Sequence, residues 1–265
     1  MVSLRSTILR GFSADLWRGV LVNFRGVDPW VEMISSPIWV LGLVLAIASQ
    51  NPSILRDPTT VKDICWSIVV FSMISDKLWI VGHMLDREKR SGVLENILMS
   101  NIPLSIHTLS PIIVSMLWSL ATLGIILITV FPILGANPAP IDPALTAIGY
   151  ILSDIVAAGI AMTYAPVVIK LRRPWIFTNF FQFTLPLISG IIPQSYAPPE
   201  IRGVIALNPL SYPVEILRRG ATGSSYIDVQ IGEAFMISIA GIAILYMIGM
   251  LSLIIVRRII IKRGV

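Results

Sequence analysis

The sequence predicts an all-α membrane protein: six transmembrane helices, an interfacial amphipathic helix at the N-terminus and a charged cytoplasmic helix after the second span. Three observations predict it. Hydrophobic residues make up 55% of the chain and charged residues only 13%, with a mean hydropathy of +0.82. A soluble domain carries roughly a quarter of its residues charged. Apolar runs approaching or exceeding the ~20 residues that cross a bilayer recur at Met33–Ser49, Ile64–Met84, Leu109–Leu134, Ala144–Ile169, Trp175–Ile192 and Ala234–Val256. The basic residues then sort by side. With both termini inside, four Lys and Arg precede the first span, three follow the second, three follow the fourth and four follow the sixth. The outside holds five, namely Arg56, Lys62, Arg202, Arg218 and Arg219, and Lys77 lies within a span. Inside-positive loops are the orientation rule of membrane proteins, so the net charge of +5 calls for lipid neighbours and no nucleic acid.

Taken in order, residues 1–27 read as a helix on the membrane surface. Leu4, Ile8, Leu9, Phe12, Leu16, Trp17, Val20 and Phe24 share one broad face, with Arg10, Asp15, Arg18 and Arg25 opposite. A basic helix with Trp and Phe on its apolar side suits the cytoplasmic interface; the alternative is a helix packed on its own protein. The segment is amphipathic rather than a short apolar core with a cleavage site, so no secretory signal is expected. Asn51-Pro52 and Asp57-Pro58 mark an exterior turn, and the three prolines of 137–143 mark another. Lys170–Pro174 is a short interior turn. Pro186 and Gly190 are expected to kink the fifth span. The exterior segment 193–232 contains Ile201–Leu210, too short to span, and reads as a re-entrant or interfacial hairpin. No repeat or separate soluble domain is visible, so residues 1–265 form one transmembrane unit. Cys65 is the single cysteine, which excludes an intrachain disulfide framework.

The densest charge cluster, Asp86-Arg87-Glu88-Lys89-Arg90, leads into Ser91-Gly92-Val93-Leu94-Glu95-Asn96-Ile97-Leu98. As one helix from Asp86 to Ser100 it places Val93, Leu94, Ile97 and Leu98 in an apolar patch, with Glu88 and Glu95 near one face. Pro103 stops it before the next span. A patch rimmed by charge suits docking on a partner; a solvated loop is the plainer alternative. The stretch Glu88–Leu98, followed by Pro103-Leu104-Ser105, resembles the cytoplasmic loop of ABC-2 type transporter permeases. Val93 stands where that family often has Thr. Asn208-Pro209-Leu210-Ser211-Tyr212-Pro213-Val214-Glu215-Ile216-Leu217-Arg218 resembles the Asn-Pro…Glu-x-x-Arg segment before the family's last span. The order of parts also matches, so the resemblance covers nearly the whole chain.

The resemblance implies a permease subunit of an ATP-driven exporter in which the 86–103 loop couples to a cytosolic ATP-binding subunit. Glu88, Gly92, Leu94, Glu95 and Leu98 would make that contact, with Gly92 letting two backbones approach. Asn208, Pro209, Tyr212, Glu215 and Arg218 would belong to an exterior gate, although Glu215 and Arg219 could equally be a surface ion pair. The chain has no Gly-x-x-x-x-Gly-Lys-Ser/Thr loop. ATP and Mg are therefore expected on the partner, and because ATPases of this kind work in pairs, a second permease chain, alike or different, is expected too. A prokaryotic plasma membrane suits this composition.

Asp76, Lys77, His83 and Asp154 fall within or at the end of apolar runs. Each such charge costs at least ~2.5 kcal/mol on insertion scales and should face the bundle or a partner. Asp76 and Lys77 diverge by about 100° on a helix, so Lys77 with Asp154 is the better pair. It reads either as a polar site on a translocation path or subunit interface, or as a structural pair. An ion- or proton-coupled carrier using Asp76, Lys77 and Asp154 is the second functional class, although no half-to-half symmetry supports it. An enzyme is the weakest class. His83 and His107 lack a metal-ligand pattern, there is no Gly-x-Ser-x-Gly elbow, and no active-site motif surrounds Asp76 or Asp154.

Overall fold

The computed structural model describes residues 4–50, 52–100, 102–190 and 199–263, and among them every regular element is helical. Helices α1 (Leu4–Arg25) and α2 (Val27–Gln50) are followed by a 3₁₀ turn (Pro52–Arg56), then α3 (Pro58–Arg90), α4 (Val93–Met99) and α5 (Leu104–Ile133). After these come α6 (Pro143–Lys170), α7 (Pro174–Leu187), α8 (Pro199–Leu207), α9 (Ser211–Thr222) and α10 (Ile231–Arg263). The Asp-Pro pairs that read as turns are also helix starts. Asp57 and Asp142 accept the first-turn amides of α3 and α6, and each is followed by a proline whose missing N–H costs nothing there.

Four helices, α3, α5, α6 and α10, are long and apolar enough to cross a membrane; the apolar stretch of α2, Met33–Ser49, is shorter. Helix α7 has 14 residues, ~21 Å at 1.5 Å per residue, against a hydrocarbon core of ~30 Å. The expected kink at Pro186 and Gly190 is instead a helix end: α7 stops at Leu187 and Gly190 has φ +70°. Residues 191–198, which close the expected fifth span and open the exterior segment, lie outside the described residues.

Helices α3 and α6 form the centre, and α5 and α10 flank them. The most apolar windows of α3 and α6 are each 61% buried, against 28% for α5 and 22% for α10. Helix α10 keeps Met236, Ile244, Ile248, Leu251 and Ile255 exposed, a surface suited to lipid. Helix α9 packs on α6, α10 and α3, and Pro213–Arg218 are buried without a break. Lipid is as apolar as leucine, so helices associate there through close packing of small residues. A Cβ on Gly220 would sit 2.5 Å from the Thr146 amide nitrogen, and one on Gly149 would collide with the Leu217 backbone. These two glycines set the α6–α9 distance. The Asp142 amide also donates to the Gly220 carbonyl at 2.8 Å, meeting an orphan acceptor at the end of α9.

Helix α1 packs along α5, with Gly11 against Ile102 and Gly19 against Val114, and leaves Trp17 exposed. The side chains of residues 4–10 and 22–24, part of the expected amphipathic face, lie outside the described set.

Candidate functional site

Three polar clusters are strung along α3, one at each end and one in the middle. At the α4 end, α3 does not continue through the motif as one helix. It ends at Arg90, Ser91 caps it by donating to Arg87 at 3.0 Å, and Gly92 reverses the chain with φ +71° into α4. No atom lies within 4 Å of where a Gly92 Cβ would be. The glycine is required within this chain by its left-handed conformation, rather than by a close approach. The break corrects the expectation that Glu88 and Glu95 share a face. Glu88 lies in the last turn of α3, is 5% exposed and turns inward, whereas Glu95 is exposed on α4. The expected docking patch is also divided. Leu94 and Leu98 are buried in the core, while Val93 and Met99 are exposed beside Glu95 and Asn96.

Glu88 Oε2 lies 2.9 Å from His107 Nε2, and Asp15 Oδ2 lies 3.1 Å from His107 Nδ1. His107 is thus held between two carboxyl groups, one at each ring nitrogen. Arg18 approaches both carboxylates, at 3.5 Å from Glu88 and 3.7 Å from Asp15. This four-residue cluster ties α1, α3 and α5 together. Lys89 Nζ donates to the carbonyls of Ile169 and Leu171 at 2.8 and 3.0 Å, capping α6. From α10, Arg257 donates to Ser100 at 2.6 Å, to Leu98 at 3.1 Å and to Ile102 at 3.4 Å. Helix α4 is thus anchored by two leucines below and by a guanidinium from another helix at its C-terminus. A cleft of ≈ 210 Å³ between α1 and α4 is lined by Arg18, Val93, Asn96 and His107.

Midway along α3, Lys77 is fully buried and its Nζ lies 2.8 Å from Asp154 Oδ1 on α6; it also donates to Ser119 Oγ on α5 at 3.1 Å. Asp76 is half-buried and outside this pair. His83 is exposed and stacks on Trp79 with ring centroids 4.7 Å apart.

At the opposite end, Arg218 of α9 is 3% exposed. It lies 3.4 Å from Asp63 of α3, donates to the Gly190 carbonyl at 2.8 Å, and covers the Tyr226 ring 3.6 Å from its centroid. Tyr226 donates its hydroxyl to Asp63, and Thr222 donates to the same carboxylate at 3.1 Å. Glu215 is 1% exposed and pairs with Arg219 at 2.7 Å while accepting from Ser225 and the Tyr226 amide. The Glu215–Arg219 pair is therefore part of a buried network and not a surface bridge. Asn208 donates to the Ile188 carbonyl at 2.9 Å and accepts from Leu210, pinning the α8–α9 corner to the end of α7. Tyr212 donates to the Ala206 carbonyl at 2.6 Å within the same corner, and Pro209 packs on Gly241 of α10. Outside the membrane-crossing helices, the hydroxyls and amides of Thr59 and Thr60 hold the exposed Asp57 carboxyl down at about 2.

The structure thus brings Lys77 to Asp154 and gathers Asn208, Glu215 and Arg218 around α9, while separating Glu88 from Glu95. Sequence reasoning missed Asp15, Arg18 and His107, Arg257, Asp63 and Tyr226. In the sequence His107 stands out only as a histidine without a metal-ligand pattern, and Arg257 only as one of the inside-positive charges. Among the described residues no group of three or more His, Cys, Asp or Glu could hold a metal. Compared with curated proteins, the chain matches none. The family model of ABC-2 type transporters matches residues 33–222, a stretch that holds α2 from Met33 onward, all of α3 to α9 and the three clusters except Asp15, Arg18, Ser225, Tyr226 and Arg257. A permease-type membrane component with its polar residues gathered along one long central helix, this chain belongs to the ABC-2 type transporter family.

Proposed function

We propose that the protein is the permease subunit of an ATP-driven exporter, one of two permease chains, alike or different, working with a separate ATP-binding subunit that carries ATP and Mg. The observation that carries the reading is α4. It is a short helix anchored from below by Leu94 and Leu98 and at its end by Arg257, and it presents Val93, Glu95, Asn96 and Met99 outward. A partner pressing on that strip would move α10 through Arg257 and α3 through the Ser91-Gly92 turn. The membrane segment would then expose its interior alternately to either side. In this reading α2 and the α7–α9 region complete six crossings in a prokaryotic plasma membrane, with both termini cytoplasmic, and the α9 network braces the exterior gate. ATP chemistry belongs to the partner, and the chain itself is not an enzyme.

The test is co-purification. Glu95→Lys with Met99→Asp changes two exposed side chains and spares Gly92, whose positive φ would make a substitution there a folding defect. The wild-type chain, solubilised from its native membrane, is expected to retain an ATP-binding subunit, and the folded double variant to lose it. A wild-type chain that retains no ATPase would transfer the reading to the ion-coupled carrier. The observation favouring that second reading is the buried Lys77–Asp154 pair with Ser119.

A further inference from the structure

Where α10 leaves the membrane, its last turns and the first turn of α5 leave a groove of ≈ 280 Å³. Leu104 and Ser105 form one wall, Leu253 and Ile254 the other, and Arg257 and Arg258 stand at the end where the apolar run of α10 stops. The lining is mostly apolar, and among the described residues no Asp or Glu lines the groove. Arg257 spends its donors on three backbone carbonyls. These meet its hydrogen bonds but leave its charge uncancelled. Arg258 is exposed, and so is Lys262 one turn further on. Ile254, 44% exposed, forms the open lip. An apolar trough with uncompensated positive charge at its polar end complements an acyl chain ending in an anionic headgroup. A soluble anion would gain nothing from the trough, and a zwitterionic headgroup brings a cation towards Arg258.

We infer that this groove binds one anionic glycerophospholipid, with acyl chain against the exposed Ile254 and Ile261 and phosphate at Arg258. The lipid fills the seam between α5 and α10 beside the carbonyls that Arg257 holds. The inference rests on membrane placement alone and stands whether or not an ATPase partner exists.

The test uses the detergent-purified full-length chain with dioleoyl phosphatidylglycerol and dioleoyl phosphatidylcholine in equal amounts, with bound lipid counted by native mass spectrometry. The expected result is one retained phosphatidylglycerol at roughly fivefold preference. Arg258→Gln is expected to abolish the preference while keeping total lipid, and Ile254→Trp to lower retention of both lipids. Both positions are exposed, and an unchanged melting temperature confirms that each variant folds. Inorganic phosphate in millimolar excess is expected to displace nothing. Equal retention of the two lipids by the wild type, an unchanged preference in Arg258→Gln, or displacement by phosphate would each overturn the assignment. So would a dimer that takes up no lipid, because a second copy would then fill the groove.

Discussion

Lys77 buries its amine with no exposed surface, and there it meets the Asp154 carboxyl and the Ser119 hydroxyl. A buried pair is worth little net, but breaking it strands a charge at a cost of about 3–5 kcal/mol. Lys77→Met alone is therefore expected to lower thermal stability in detergent by about that amount, and Lys77→Met with Asp154→Leu to recover most of it. If the pair is only structural, the double variant also keeps transport. If the double variant folds and loses transport, the charge itself is used. Asp57 allows a pH prediction outside the membrane. Its carboxyl sits at about 2 in the fold against about 3.9 unfolded. Its capping contribution is therefore full above about 3.9 and fades only as pH falls towards 2. Intrinsic-rate-corrected protection of the Thr59 and Thr60 amides is expected to stay flat from neutral pH down to about pH 4. A loss of protection near pH 6 would show that another group controls the start of α3.

The elements differ in how plainly the sequence announced them, and the reason is physical. Helices α3, α5, α6 and α10 were legible because a span must be apolar for about 20 residues whatever it packs against. Helix α9 was not, because hydropathy averages over polar atoms and cannot register that Glu215 and Arg218 are matched by Asp63, Arg219 and Tyr226 from elsewhere in the fold. The Lys77–Asp154 pairing was legible because an uncompensated charge in hydrocarbon demands an opposite one, and few were available. The α4 motif was found but its faces were not, because the left-handed turn at Gly92 resets the helical phase between Glu88 and Glu95. Two predictions belong at this scale. Gly149→Ala drives a methyl into the Leu217 backbone, and a core clash of this kind costs about 1–3 kcal/mol. It should lower the melting temperature, whereas Gly203→Ala on α8, with open space around it, should not. Arg257→Gln removes the guanidinium from three carbonyls. Hydrogen exchange at Ser100 and Ile102 is then expected to rise while the α6–α9 interface stays protected. Unchanged exchange there would mean that Leu94 and Leu98 hold α4 without help from α10.

At the scale of the whole molecule, one helix belongs to all three polar clusters. Helix α3 gives Asp63 to the α9 network, Lys77 to the buried pair and Glu88 to the His107 cluster. At 1.5 Å per residue these lie about 21 and 16 Å apart along one axis. Each cluster fixes α3 against a different neighbour: α9 at one end, α6 and α5 in the middle, α1 and α5 at the other. If α3 moves as a rod under these three attachments, a push at α4 is expected to reach Arg218 and Tyr226. Because Cys65 is buried and is the chain's one cysteine, replacing it with alanine gives a background for single labels. A spin label at Arg87→Cys, exposed on the last turns of α3, reports the driven end. One at Asp228→Cys, exposed in the loop just beyond Tyr226, reports the other end. If the proposed ATP-binding partner drives α4, a non-hydrolysable ATP analogue added to that complex is expected to shift both labels together. A shift at Arg87→Cys with none at Asp228→Cys would mean that α3 bends or slips at Lys77, and that the α9 network opens by a route separate from α4.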